Sequence, residues 1–210
     1  MNIYKYVAGA LSSPPLDVYQ RSGSMAELEL VNSRPPSLVA GESSPFFKDI
    51  PQRLLAFHIA RNAIYARPEL FLARIYHADG LRDLLAGFIG LYNQKALALG
   101  SPGEVQNWAQ AFSELPEAVV KRVKDLTIPA YGDLKTPNVV QQYAEAADIA
   151  ALRGGLLMAG DLEAAARGAG DAAEGVTRMT PQQKTKELIA FAVSEDHFAL
   201  REQLGLAIKG

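Results

Sequence analysis

The sequence predicts a mostly helical α+β fold, in which a small antiparallel sheet near the N-terminus is followed by a bundle of about seven or eight helices. Short segments with strand character, separated by Gly, Ser and Pro, are confined to residues 17–41. From residue 46 onward the apolar residues recur at helical spacing. A content of 49% hydrophobic and 21% charged residues over 210 positions suits one soluble chain with a sizeable core. One domain over 1–210 is expected, made of a helix and linker (1–15), the sheet (16–42) and the helical part (46–210).

The elements follow in order. Residues 1–11 read as a short helix, stopped by Ser12-Ser13-Pro14-Pro15, where two prolines remove backbone donors and fix φ. The abrupt start suggests that further chain preceded it. Three strands are expected at Asp17–Arg21, Glu27–Asn32 and Ser37–Gly41, joined by Ser22-Gly23-Ser24 and Ser33-Arg34-Pro35-Pro36. In Glu27-Leu-Glu-Leu-Val31 the leucines alternate with glutamates, so one face is buried and the other wet. After the loop Glu42–Pro45, the residues Leu54, Leu55, His58, Ala60, Ile64 and Tyr65 give the first long helix a wide apolar face, ended by Arg67-Pro68. Further helices are expected at about 69–76, 79–99, 103–114, 116–126, 137–159, 161–168 and 181–208. Ser101-Pro-Gly-Glu104 and Thr180-Pro-Gln-Gln183 carry the capping-box pattern, and Asp161 after Gly160 is a further cap. Residues 168–175 form a soft connector.

Composition excludes several functions. A formal net charge of −2 provides no field to draw nucleic acid or an anionic membrane. With no cysteine, neither disulfides nor thiolate metal sites are available, and a cytoplasmic location is expected. The longest strongly apolar run, Leu84–Tyr92, is far short of the roughly 20 residues that span a bilayer. Tyr6–Leu11 is too short for a signal-peptide core of about 7–15 residues, so no targeting segment is expected.

The most informative stretch is Leu55-Ala-Phe-His58-Ile59-Ala-Arg61-Asn62-Ala63. A zinc-peptidase helix of the gluzincin kind would read His-Glu-x-x-His over 58–62, two imidazoles one turn apart with a carboxylate between them as general base. Only His58 fits; Ile59 stands at the base and Asn62 at the second ligand.

With that helix, a preceding small sheet, and a late helix carrying Ala147-Asp148 and then Ala159-Gly160-Asp161, the chain resembles the minigluzincin core of the HtpX-like and CAAX-prenyl-protease-like metallopeptidases. It is similar in particular to the degenerate cores at the C-termini of large bacterial tetratricopeptide-repeat proteins. The likeness spans about residues 16–205 and includes Pro35-Pro36-Ser37-Leu38-Val39, Arg67-Pro68-Glu69, and the run from Phe191 through Ser194-Glu195-Asp196 to Phe198 and Arg201. It implies a zincin-like fold. In active members a glutamate four residues before the Ala-Asp aspartate is the third zinc ligand, and here that position is Ala144. Glu145 is adjacent, but one residue turns a helical side chain by about 100°. One ligand in three survives without the base, whereas a hydrolytic zinc site needs about three protein ligands, an open water position and a carboxylate. The resemblance therefore implies a pseudoenzyme with no metal and no cofactor. An active zinc peptidase with a non-standard site is the alternative.

Other side chains have plainer explanations. His58 reads as a buried histidine bonded to backbone rather than a ligand, and His58, His77 and His197 have no spacing that favours a three-histidine site. Asp148 reads as a buried hydrogen-bonding residue near His58. Arg61 and Glu69 read as a salt bridge. Ser194-Glu195-Asp196-His197 is a helix break and cap, since helical neighbours point apart and make no triad. Gly154-Gly155 and Gly168-Ala-Gly170 serve helix packing, and Trp108 with Phe112, sharing one helix face, reads as core.

What remains of such a core is its capacity to hold an extended peptide at a sheet edge. Protein–protein interaction or assembly is the expected function, with a protein partner or a second copy and no nucleic acid. The expected groove has Ser37–Gly41 as its edge strand (Leu38, Val39, Ala40) and His58, Arg61 and Asn62, with Asp148, beneath it.

Overall fold

A computed structural model describes residues 3–14, 16–23, 28–42, 44, 47, 49–136, 138–171, 177 and 179–206. Ser24 of the first turn, Glu27 of the second strand, Pro45, Pro137 and residues 172–175 of the connector lie outside them. Where one domain is expected, the packing separates two units: Met1–Ile75 with Glu145–Gly210, and Tyr76–Ala144.

The first unit opens with helix α1 (Ile3–Ala10) and strands β1 (Asp17–Gln20), β2 (Glu29–Val31) and β3 (Ser37–Ala40). The sheet is mixed rather than antiparallel, in the order β1-β3-β2. The short Asn32–Pro36 link folds β2 back on β3 antiparallel, pairing Leu30 with Leu38, while β1 lies on the far side of β3 and runs parallel, pairing Val18 with Leu38. Polarity explains the order. Ser-Leu-Val-Ala has no polar alternation and is buried throughout, as a central strand must be, whereas Asp-Val-Tyr-Gln is exposed at every position. The strand expected at the edge is thus the middle one. In β2 the alternation holds, with Glu29 exposed and Leu30 buried.

Helix α2 (Gln52–Tyr65) is buried nearly all round, from Ala56 to Tyr65 without interruption. Such a helix needs neighbours on every side. Against it pack α1, α3 (Pro68–Ile75), α7 (Val139–Ala159, numbered after the second unit's helices) and α8 (Leu162–Asp171), with α9 (Pro181–Ala192) and α10 (Glu195–Gln203) completing the unit. Phe57 centres one core with Leu152, Leu156, Ala165, Leu188 and Phe191; Ile59, Ala60 and Ala63 meet Val7 in another. Close approach here requires glycine: a Cβ on Gly155 would lie 2.6 Å from the Phe57 ring, and one on Gly154 2.6 Å from Ile64. The packing role expected of these glycines holds, as it does for Gly168, while Gly170 faces open space.

Local caps follow the sequence at three sites. Thr180 accepts from the Gln183 amide and Gln183 reaches back to the Thr180 N–H, closing both arms of a capping box. Asp161 accepts from the Ala164 amide at 2.9 Å, after Gly160 ends α7 with φ of 59°. Ser194 accepts from the His197 amide, so the helix expected over 181–208 breaks into α9 and α10 at the serine. The box expected at Ser101 does not form, because Asp83 Oδ1 takes the Ser101 N–H at 2.8 Å.

The second unit holds α4 (Ala78–Gly90), a 3-10 helix (Gln94–Leu99), α5 (Pro102–Ser113), α6 (Glu117–Leu134) and the start of α7. The single helix expected over 79–99 divides because Asn93 caps the 3-10 turn, accepting from the Lys95 amide. Helix α6 outruns its expected end at 126 and carries Pro129 inside it. A proline withdraws one helical hydrogen bond and bends a helix without always ending it. Trp108 stacks on Phe112 at 5.6 Å, the shared face its spacing implies, though both rings are half-buried. Among the described residues no helix is long and apolar enough to cross a membrane.

Candidate functional site

Helix α2 aligns His58, Arg61, Asn62 and Tyr65 along two turns, and α7 brings Asp148 against them. Asp148 is fully buried and its carboxylate is saturated. Oδ1 accepts from Arg61 Nη2 at 3.0 Å and from the Tyr65 hydroxyl at 2.7 Å; Oδ2 accepts from Thr177 Oγ1 at 2.9 Å and from Lys184 Nζ at 3.3 Å. Burial alone would raise this carboxyl, but the Arg61 and Lys184 charges and the donated hydrogen bonds outweigh it and hold the pKa at about 2. The same environment acts oppositely on Tyr65, whose hydroxyl is pushed up by burial and then by the Asp148 charge. Arg74, whose guanidinium lies 5.8 Å from the Tyr65 ring centre, is lowered by burial and by Arg61. A carboxylate with all its acceptor sites filled and so low a pKa carries no proton near neutrality, so it cannot act as a general acid there.

The seven expected groove residues are interior. Leu38, Val39 and Ala40 are buried in the central strand; His58, Arg61 and Asn62 are each 7–8% exposed and Asp148 is 0%. The expected open groove is therefore not formed: β3, expected as an edge, is paired on both sides, and a central strand has no free side to offer. Arg61 pairs with Asp148, and Glu69, expected to pair with Arg61, accepts from Arg67 Nε at 2.7 Å. Asn62 turns its amide along its own helix to the His58 carbonyl at 2.9 Å. The His58 ring stands edge-on to Phe57.

A catalytic zinc does not fit these donors. Of the positions that the family resemblance assigns, His58 alone bears a ligating nitrogen; Ile59 and Ala144 are buried hydrocarbon and the Asn62 amide is engaged. Among the described residues no three of His, Cys, Asp and Glu are grouped to hold a metal ion, so His58, His77 and His197 form no site. His197 is instead packed between Phe191 and Phe198. Its Nδ1, 3.1 Å from the Ala192 carbonyl, must donate, which leaves Nε2 a buried lone pair with no partner among the described residues. Burial, then the Arg201 charge, lowers its pKa.

Sequence reasoning missed Lys184 and Thr177. Lys184 shares one face of α9 with Leu188 and Phe191, all three buried, and that i, i+4, i+7 spacing was the available signal for a lysine turned inward toward a carboxylate. The strand expected at Asp17–Arg21 forms as β1, but the edge expected at Ser37–Gly41 lies here instead, with all four residues exposed, Val18 at 45% and Tyr19 at 55%. Among the described residues the outer side of β1 pairs with no strand. No protein-family model, no curated protein and no solved structure matches this chain.

Proposed function

We propose that this chain is a catalytically inactive metallopeptidase-like domain that works in the cytoplasm as a protein–protein interaction module, taking an extended segment of a protein partner, another protein or a second copy, along β1. The observation that carries this is the open outer side of β1. All four of its residues are exposed, Val18 and Tyr19 among them, no strand among the described residues pairs with its outer side, and a sheet edge of this kind is a template for one more strand. The interior supports the inactive half: Ile59 and Ala144 replace the base and a ligand, and Asp148 is locked as a structural anion. Charge and composition give nucleic acid no purchase.

The test places a photo-crosslinking amino acid at Val18, at Tyr19 and, as a control, at Glu163 on α8. Adducts from 18 and 19 that are absent from 163 are expected, and a Val18→Pro change should abolish them. Equal labelling from all three positions refutes a docking edge.

A further inference from the structure

We infer that the occupant of the β1 edge is β1 of a second copy, docked antiparallel about a two-fold axis that passes between the two Tyr19 residues. This rests on the reading of β1 as a docking edge and names its partner. The edge runs on through Arg21, whose N–H donates to the Ala40 carbonyl of β3 at 2.9 Å. Alternate residues of a strand send their backbone N–H and C=O to opposite sides. Arg21, Tyr19 and Asp17 therefore turn theirs toward β3, and Val18 and Gln20 turn theirs outward.

That alternation restricts the register. A two-fold axis through a continuous antiparallel sheet sets one residue opposite its own copy, because opposed side chains share a face. With Tyr19 there, the whole edge from 17 to 21 is paired. Val18 and Gln20 exchange their outward hydrogen bonds across the axis, and Asp17 faces Arg21 at both ends. Centring on Asp17 or Arg21 would set like charges together. Centring on Val18 or Gln20 would shorten the overlap and part Asp17 from Arg21.

The side chains suit this pairing. Among the described residues the Asp17 carboxylate has no hydrogen bond or ion pair, and the Tyr19 ring, 55% exposed, has no ring contact. Arg21 gives Nη1 to Glu29 at 3.1 Å in a pair about half exposed on both sides. One carboxylate does not saturate a guanidinium, so Nε and Nη2 are left for Asp17 of the other copy. Opposite-charge and aromatic pairs directly across strands both favour association. The strand is thus complementary to itself when reversed, with its acid at one end, its base at the other and its aromatic ring at the centre.

The chain has no cysteine, so single cysteines report the register. Residues opposed at a non-hydrogen-bonded antiparallel position have Cα atoms about 4.5 Å apart, within disulfide reach, whereas two Val18 copies stand diagonally, at or beyond the limit of about 7 Å. Under mild oxidation Tyr19→Cys should give a linked dimer far faster than Val18→Cys alone or Glu163→Cys on α8, and Val18→Cys mixed with Gln20→Cys should give the mixed disulfide. Analytical ultracentrifugation of the unaltered chain should show a weak, concentration-dependent dimer, as suits so short an interface. Asp17→Arg and Arg21→Glu should each weaken it about tenfold with unchanged circular dichroism, since attractions at both ends become repulsions, and mixing the two variants should restore it. A monomer at every concentration up to about 1 mM, Tyr19→Cys linking no faster than Glu163→Cys, or no recovery in the mixture overturns the proposal. Photo-crosslinks from Val18 and Tyr19 to a different protein, with the chain itself monomeric, overturn the second copy and leave the docking edge standing; equal labelling from Glu163 removes both.

Discussion

Lys184 Nζ lies 3.3 Å from Asp148 Oδ2 with the lysine 3% exposed and the aspartate 0%, so α9 is fastened to α7 by an ion pair that solvent does not reach. Arg61 and Tyr65 attach α2 to the other oxygen of the same carboxylate. Three helices of the first unit thus converge on one anion.

Removing that anion strands two cations. Asp148→Ala should cost about 3–5 kcal/mol, because Arg61 and Lys184 are left buried without a counter-charge. Lys184→Met should cost clearly less, since Asp148 keeps its bonds from Arg61, Tyr65 and Thr177 and the methionine fills the same volume. Urea unfolding of both variants checks the order. If the lysine change costs as much as the loss of Asp148, the carboxylate is not the centre of the network.

Acid should weaken the fold in two stages. His197 has a folded pKa below the ordinary imidazole value of 6.5, so the unfolded chain takes up a proton first. Stability is then fully present above about 6.5 and falls as pH drops below it, until the folded histidine also protonates. Asp148 is lowered from 3.8 to about 2, so its contribution of about 2 kcal/mol is present above 3.8 and is lost as pH falls through 2. Stability measured against pH should lose its first decline in His197→Gln and its second in Asp148→Asn.

Glycines in adjoining helices should respond with opposite sign. Gly155→Val places a side chain where the Phe57 ring stands and should cost at least about 1–3 kcal/mol by overpacking. Gly170→Ala on α8 meets nothing within 4 Å and should stabilise the helix by about 0.5–1 kcal/mol. Thermal melts of the two variants test this, and a neutral Gly155→Val would show that α7 does not close on Phe57.

Capping should divide the same way. Thr180→Ala removes a formed box and should cost about 1 kcal/mol. Ser101→Ala should be near neutral, since Asp83 rather than the serine side chain makes the bond there. Chemical denaturation of the pair reads out the difference.

These contrasts also mark how far the sequence was legible. The caps at Asp161, Thr180 and Ser194 could be read because a cap joins residues three apart, and the helical character beyond residue 46 because periodicity is local. Strand order could not be read from turns alone, since pairing is non-local, although the unbroken apolar run of Leu38-Val39-Ala40 pointed to a central strand and the polar Asp17–Gln20 to an edge. Asp148 was legible as buried, yet its donors Arg61 and Tyr65 lie 87 and 83 residues away in sequence, a pairing that no local pattern encodes. Ser101 misled because the capping-box pattern was present while Asp83, folded in from α4, competed for the backbone.

The central claim is that this domain binds rather than cleaves, and metal content tests it most directly. Protein purified without chelator should carry well under one zinc per chain by elemental analysis, and its unfolding should be unchanged by EDTA. One tightly held zinc per chain, with unfolding or loss of peptidase activity when it is removed, would contradict the account.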